Sequence, residues 1–405
     1  MRILPVSSGK GGVGKTTFAL NLALALAKTQ STVLIDMDTG TSSLRNFLDA
    51  PVERDLFHFL KKGTSMEECR QALPLSMDPD RAFAKFNFIA SPRGFVHDIV
   101  NFDSATKNKL VQAINVLRAD YVIIDLKAGL DTHVLDFLPI SNSGIILFTP
   151  GLRAATLAAA EIAKAILFRM LNIMLSAPLV RERYFPADGQ PAPLFQRLHD
   201  FLQHGQDPEA KNLDDFINEA AEQFPHDNFI RVLRYYVENF KVYYVLNKFN
   251  TVAESVENTI KPLVENIFRT VSSRVSFRNL GWVVENEEIK KSSETGIPYL
   301  VRRYYQKRET PARVLDSDDY LRDLCGLATK RQPAQKKPTL KDELSNQIDL
   351  LRSIYICNAG SDPETNFDFI AAAIKEFSAY SNHQFGMKHI FSEGEFLERF
   401  QARII

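Results

Sequence analysis

The clearest chemical signal in the sequence is a glycine-rich stretch near its start, SSGKGGVGKTT at residues 7–17. An apolar run at residues 3–6 predicts a buried strand before it, and an alanine- and leucine-rich run at residues 18–27 predicts a helix after it. A strand, a glycine loop and a helix in this order are the context in which backbone N–H groups surround a polyphosphate. The stretch therefore predicts a phosphate-binding loop (P-loop), and the positive end of the following helix faces the same anion.

Two side chains in this loop carry specific chemistry. Lys15 is placed to reach the β- and γ-phosphates of a nucleotide, and the Thr16 hydroxyl is placed to bind Mg²⁺. Glycines at positions 9, 11, 12 and 14 allow the backbone to turn its N–H groups inward. The nucleotide-binding residues predicted in the loop are Gly11, Gly12, Val13, Gly14, Lys15, Thr16 and Thr17.

Carboxylates follow two other apolar runs that predict buried strands. Residues 31–38 end in Asp36 and Asp38, whose side chains are expected to point the same way because side chains alternate along a strand. In residues 121–129 four apolar residues end in Asp125, a Walker B pattern that predicts an aspartate holding Mg²⁺ through a coordinated water. Gly129 can bring its backbone N–H to the γ-phosphate and sense hydrolysis. Because the carboxyl ends of parallel strands meet at one crevice, we expect these residues beside the glycine loop.

The stretch GKGGVGKTT at residues 9–17 resembles the deviant P-loop of the MinD/ParA family of ATPases. The resemblance implies ATP as the nucleotide, and it implies that Lys10 reaches across a dimer interface to the nucleotide of the partner subunit. It also implies that Asp38 orients the attacking water and that Asp36 lies near Mg²⁺. The predicted catalytic residues are therefore Lys10, Lys15 and Asp38, and the predicted metal site comprises Thr16, Asp36 and Asp125.

The resemblance extends to about residue 325, with departures. Asn247 ends an apolar run where the family contacts adenine, so the resemblance implies that Asn247 binds the base; a strand-end turn asparagine is the alternative. Lys127 stands where the family usually has Pro or Gly, and a contact to phosphate, to a partner or to solvent stays open. Residues 134–138 are similar to the flagellar-number-regulator branch of the family.

The periodicity of the chain predicts an α/β fold with a mostly parallel P-loop sheet and helices on both faces. We expect an ATPase domain at residues 1–328, interrupted by a charged helical insertion at about residues 181–240. A charged, proline-bearing linker at residues 329–342 would lead to a small C-terminal α/β extension at residues 343–405. In that extension we predict a strand at residues 353–358 and a helix at residues 364–380.

The amino-acid composition limits the kinds of partner and the cellular compartment that we expect for this chain. The 405 residues are 45% hydrophobic with formal net charge +0, so bulk charge favours neither a nucleic-acid nor a membrane surface. Cys69, Cys325 and Cys357 lie far apart and form no disulfide framework, which favours a reducing cytoplasm. The chain enters its first predicted strand directly, so we expect no signal peptide. The amphipathic end at residues 396–405 allows a peripheral membrane contact, but Glu395 and Glu398 favour packing against the protein.

These features favour an ATP-dependent homodimer that acts as a slow ATPase switch for an unidentified protein partner or activator, positioning polar, flagellar or division machinery. A DNA-partitioning ATPase is one alternative, because residues 302–308 are basic with two interleaved tyrosines; a solvated basic helix explains the same stretch. A kinase or ligase on the same scaffold, and an interaction module that does not hydrolyse ATP, also stay open.

Overall fold

A computed structural model gives the three-dimensional structure of the chain. The residues described are 1–38, 43–93, 103–129, 137, 142–176, 193–204, 210–223, 225, 228–308, 339–357 and 362–379. Residues 39–42, which follow Asp38, lie outside them, as do three segments named above: residues 134–138 apart from Phe137, residues 329–338 of the linker and the tail at residues 396–405.

The centre of the molecule is a seven-stranded sheet in which every neighbouring pair is parallel. Its spatial order is β3-β2-β4-β1-β5-β6-β7, so the strand before the P-loop lies in the middle. The central strands are fully buried apolar runs, as expected for a sheet covered on both faces. The strands are β1 Arg2–Ser7, β2 Thr32–Asp36, β3 Phe86–Ile89, β4 Tyr121–Asp125, β5 Asn142–Phe148, β6 Lys241–Phe249 and β7 Ser276–Val284.

Helices connect these strands and extend the fold at its C-terminus. Residues 252–270 form a helical stretch in which a π-helical turn, Val256–Ile260, separates two α-helices. The helices are α1 Lys15–Ala27, α2 Ser43–Phe47, α3 Leu56–Lys61, α4 Ser104–Asn115, α5 Arg153–Ser176, α6 Pro193–His204, α7 Leu213–Gln223, α8 Asn228–Asn239, α9 Val252–Ser255, α10 Lys261–Thr270, α11 Glu287–Thr295, α12 Tyr299–Arg308, α13 Leu340–Cys357 and α14 Pro363–Ala379.

Two adjacent tyrosines of β6 identify the two covered faces of the sheet. The Tyr243 ring packs against Phe377 of α14, with ring centroids 6.3 Å apart. The Tyr244 hydroxyl donates to Gln347 of α13 at 2.8 Å. Because successive side chains of a strand point to opposite faces, α14 and α13 lie on opposite sides of the sheet. Helix α1 packs against α14, and α5 packs with α10, which in turn contacts α13. The predicted α/β fold with helices on both faces is confirmed.

The C-terminal extension differs from the prediction in one element. The predicted strand at residues 353–358 is wrong, because α13 continues to Cys357. Its buried positions Glu343, Gln347, Leu351 and Ile354 recur at helical spacing, which places them on one face against the body of the protein. The helix starts at Leu340, within the range expected for the linker. The predicted helix that follows is present as α14.

The described part of the predicted insertion is helical and packs on α5. Phe201 of α6 lies between Phe168 of α5 and Phe216 of α7, with centroid distances of 5.5 and 5.2 Å. All three rings are buried. The insertion is therefore attached to the sheet domain partly through α5, a helix of 24 residues, and partly through Asp214, which accepts from the hydroxyls of Ser272 and Ser273.

Candidate functional site

The glycine loop follows β1 and ends where α1 begins. Gly14 precedes the first residue of α1 with φ 85°, a left-handed conformation that favours glycine. A Cβ at Gly14 would also lie 2.6 Å from Nδ2 of Asn247. At Gly9 a Cβ would lie 2.3 Å from the Cβ of Ala158, because the first turns of α5 press against the loop. These two glycines are needed for close packing, which explains part of the pattern seen in the sequence.

Lys15 forms a buried ion pair with Asp125 at the end of β4. The two side chains are 7% and 1% exposed, and the Lys15 ammonium lies 2.5 Å from Oδ1 of Asp125. Burial raises the pKa of the Asp125 carboxyl, and the Lys15 charge and the Thr16 hydroxyl oppose that rise. The P-loop lysine and the Walker B aspartate predicted from the sequence therefore contact each other directly.

Oxygen atoms suited to a hard cation lie next to this ion pair. Oδ2 of Asp125 and Oγ of Ser7 are buried and have no hydrogen-bond partner within the described part of the chain. The Thr16 hydroxyl belongs to the same group, since it stabilises the Asp125 carboxylate. Carboxylate and hydroxyl oxygens are ligands that Mg²⁺ accepts together with phosphate and water. The residues present therefore fit a magnesium ion bound with a nucleotide.

Asp36 connects the two ends of the loop at residues 39–42. Its Oδ1 accepts from the N–H of Asp38 at 3.0 Å, and its Oδ2 accepts from the N–H of Leu44 at 3.0 Å and the hydroxyl of Ser91 at 2.9 Å. Burial and the nearby Asp125 charge raise the pKa of Asp36 to about 7. Asp36 thus fixes the backbone on both sides of this loop, and its predicted place near Mg²⁺ stays a prediction.

The segment after β4 approaches the P-loop. The N–H of Gly129 donates to the carbonyl of Ser8 at 2.9 Å, so a contact to a γ-phosphate requires that bond to open. Ala128 lines a cavity at the P-loop, whereas Lys127 is exposed. The predicted phosphate contact of Gly129 stays a prediction, and the role of Lys127 stays open.

Two adjoining cavities meet at the P-loop and share Gly12, Gly14 and Thr17. The phosphate cavity, of about 330 Å³, is lined by Ser8, Lys10, Gly11, Gly12, Val13, Gly14, Lys15, Thr16, Thr17, Asp38, Phe47 and Ala128. The base cavity, of about 210 Å³, is lined by Gly12, Gly14, Thr17, Phe18, Asn247, Lys248, Val283, Val284, Glu285, Asn286, Glu287, Ile289, Lys290, Ser293 and Phe367. Together they form an elongated site whose two ends differ in chemistry.

The structure brings the predicted P-loop residues, Lys10 and Asp38 together around the phosphate cavity. Asn247 lies in the base cavity, and its Nδ2 donates to the Val13 carbonyl at 2.7 Å. The next residue, Lys248, has φ 59°, an uncommon conformation for a residue with a side chain. The residue that sequence reasoning missed is Phe367 of α14, because no local pattern links a C-terminal helix to a loop at the start of the chain.

The basic stretch considered for DNA binding is engaged within the protein. Lys307 pairs with Glu364 at 2.6 Å, and Arg303 lies 3.9 Å from the same carboxylate. The Tyr305 hydroxyl donates to Asp78 at 2.5 Å, and the Tyr304 ring packs edge-on against Phe83. These contacts favour a structural role for α12. Within the described residues, no helix combines the length and the apolar character required to span a bilayer.

A parallel sheet whose central strands end at a glycine loop and at buried carboxylates defines a P-loop nucleotide-binding fold. Residues 1–166 match a family model described as an AAA domain. The chain is 33% identical over 156 residues to a protein called putative septum site-determining protein MinD from Guillardia theta, covering 38% of this chain and 54% of that protein. It is 27% identical over 153 residues to the septum site-determining protein MinD of Helicobacter pylori, covering 36% and 53%.

Similar solved structures include a MinD complexed with Mg-ADP from Pyrococcus horikoshii and a ParA family ATPase from Chlorobium tepidum. Each has a TM-score of 0.42 at 15% identity, covering 74% of this chain and 87% and 91% of the respective structures. The chain spans about half the length of the curated relatives it matches. The match of residues 1–166 to the AAA domain model and the similarity to proteins named MinD agree with the family resemblance inferred from the sequence.

Proposed function

We propose that this protein binds ATP with Mg²⁺, dimerises in the ATP-bound state and hydrolyses ATP slowly, as a switch that positions or regulates a cellular assembly. The observation that carries the proposal is the placement of two lysines at one phosphate cavity. Lys15 is buried in it beside Asp125, whereas Lys10 lines it and is exposed. A buried lysine serves the nucleotide of its own subunit, and an exposed lysine is able to reach a nucleotide across an interface.

The orientation of Asn247 favours adenine as the base. Only its amide NH₂ can donate to the Val13 carbonyl, so that hydrogen bond sets the direction of the amide group. Oδ1 is then the group that Asn247 offers to a base in the cavity. The exocyclic amine of adenine donates to such an acceptor, whereas the exocyclic oxygen of guanine would be repelled by it. This argument supports ATP rather than GTP.

The chemistry at the phosphate end follows from the charges in the cavity. An incoming triphosphate offers the Lys15 ammonium acceptors that compete with Asp125, and an ammonium has three donors to share among them. Asp125 and Thr16 are then the residues that would hold Mg²⁺, which when bound would offset the negative charge of the phosphates. Asp38 is half-buried at the edge of the phosphate cavity, which is a suitable place for a carboxylate that orients the attacking water.

The cellular role is proposed from the relatives and from surface chemistry. The curated relatives described above are named septum site-determining proteins, which supports a role in division-site, polar or flagellar positioning with a protein partner that stimulates hydrolysis. The acidic partners of Arg303 and Lys307 leave less basic surface for DNA, so a partitioning role on DNA is less well supported. A cytoplasmic protein with a peripheral contact at a membrane or pole fits this role.

Light scattering after size-exclusion chromatography tests the proposal. The Asp38→Ala variant with Mg-ATP is expected to form a dimer, because the nucleotide is held without being hydrolysed. Adding Lys10→Ala to that variant should return it to a monomer that still binds ATP, whereas Lys15→Ala should abolish ATP binding. Lys62→Ala, an exposed lysine outside both cavities, is the matched control. A monomer in every nucleotide state, or a dimer that persists without Lys10, would contradict the proposal.

A further inference from the structure

The C-terminal helix α14 reaches the base end of the candidate site. It packs against α1, the helix that begins at the P-loop, and against β7. Phe367 of α14 lines the base cavity, and its ring centroid lies 6.0 Å from that of Phe18 in the first turn of α1. Phe367 is 1% exposed, so its ring is held in place by packing around it. A residue far along the chain therefore supports the wall of the cavity that a base would occupy.

A buried hydrogen bond connects the same helix to the strand end beside that cavity. Oδ1 of Asn366 accepts from the N–H of Val284 at 3.0 Å, and Asn366 is fully buried. Val284 and its neighbour Val283 both line the base cavity. Asn366 thus positions the backbone from which the cavity wall is built, while the adjacent Phe367 supplies part of the apolar surface.

Polar contacts hold α14 along the other end of α1. The ammonium of Lys28 lies 2.8 Å from Asp368, and the ammonium of Lys375 donates to the Thr29 hydroxyl at 2.7 Å. These groups are exposed and contribute little to stability by themselves. They show that α14 follows α1 from the P-loop end to the C-terminal end, so the two helices form one packed unit.

We propose that α14 is a component of the nucleotide site, in which Phe367 supports the apolar wall of the base cavity and Asn366 fixes the strand end around it. The inference rests on the proposed ATP binding and extends it, because it assigns base recognition to the C-terminal extension. A flat base gains from an apolar cavity wall that is held in shape, whereas phosphates gain nothing from it. Linkage is reciprocal, so a nucleotide whose cavity wall is supported by α14 must also stabilise the docking of α14 on the protein.

Binding of ATP and of inorganic tripolyphosphate, measured by calorimetry, tests this assignment. Phe367→Ala is expected to weaken ATP binding about three- to tenfold and to leave tripolyphosphate binding unchanged. Phe377→Ala is the matched control, because Phe377 is on the same helix, 4% exposed, and packs on Tyr243. It should lower stability similarly without changing either affinity. Phe367→Leu keeps an apolar side chain and is expected to show a smaller loss of ATP affinity. This variant replaces Phe367→Ala in the test if the alanine variant does not fold.

Hydrogen exchange on the wild-type chain gives a second readout that needs no substitution. ATP should slow exchange at the backbone amides of residues 366–371 more than tripolyphosphate does. Equal ATP affinity in the wild type and the Phe367 variants would overturn this inference alone, as would an equal loss in Phe377→Ala or unchanged exchange in α14. A wild-type protein that binds tripolyphosphate but not ATP, or neither, would overturn the proposed function and this inference with it.

Discussion

Replacing Lys15 by methionine should destabilise the nucleotide-free protein, in addition to removing its phosphate contact. The Lys15 ammonium lies 2.5 Å from a carboxylate that is 1% exposed, so the substitution leaves Asp125 buried without a counter-charge. Removing one partner of a buried ion pair costs about 3–5 kcal/mol. Asp125 can avoid part of that cost by taking up a proton. For an aspartate with an ordinary pKa, taking up a proton costs about 4 kcal/mol at about pH 7, and this cost is the upper limit on the loss of stability.

The same reasoning gives the loss of stability a defined pH dependence. Without Lys15, burial and the nearby Asp38 charge raise the pKa of Asp125, and the Thr16 hydroxyl opposes that rise. A carboxyl whose folded pKa is raised contributes stability at low pH that is lost as pH rises. The difference in unfolding free energy between wild type and Lys15→Met should therefore fall to about 1.5 kcal/mol at about pH 5.

Urea denaturation of the nucleotide-free protein across this pH range measures the effect. Adding Asp125→Asn to the methionine variant should recover about 2 kcal/mol, because a neutral amide needs no counter-charge. A Lys15→Met protein as stable as wild type, a loss independent of pH, or no recovery in the double variant would refute the ion-pair reasoning. Methionine keeps the length of the side chain, so a packing defect alone predicts a loss that pH does not change.

Two further changes follow from the site. Gly14→Ala should cost about 1–3 kcal/mol of stability and weaken ATP binding, because φ is 85° and the new methyl would meet Asn247. Gly11→Ala is the control and should leave stability almost unchanged, because nothing lies within 4 Å of a Cβ at that position. Denaturation and calorimetry compare the two variants, and equal losses of stability would contradict the steric argument. Asp36→Asn should flatten the pH dependence of the unfolding free energy. The pKa of Asp36 in the wild type is raised to about 7, so this carboxyl contributes stability at low pH that is lost as pH rises through that value. Identical pH profiles of wild type and variant would exclude Asp36 as the titrating group.

The parts of the fold that were predictable are those set by local pattern. Glycines, Lys15 and Thr16 between a strand and a helix define the P-loop, and Asp125 at the end of an apolar run marks its strand. The incorrect strand at residues 353–358 came from a short run of β-branched and aromatic residues, which favour strands when taken alone. The helical spacing that begins at Leu340 decides the outcome, and it becomes visible only over a longer window.

Other features of the site depend on tertiary contacts that local sequence does not encode. The bond from Asn247 to Val13 joins residues 234 positions apart, and Phe367 meets Phe18 across most of the chain. Asp36 illustrates the same limit at close range. Its place near a metal stays a prediction, whereas the three hydrogen bonds that its carboxylate accepts from Asp38, Leu44 and Ser91 were not foreseen from the sequence. Which donors meet a carboxylate is decided by packing, and packing follows from the whole fold.

The contact between Gly9 and Ala158 has a mechanical consequence. Ala158 lies near the start of α5, which has neither glycine nor proline in its 24 residues and is therefore a rod about 36 Å long. Further along this rod, Phe168 packs against the first inserted helix. A displacement of the glycine loop would therefore press on the same helix against which the insertion packs.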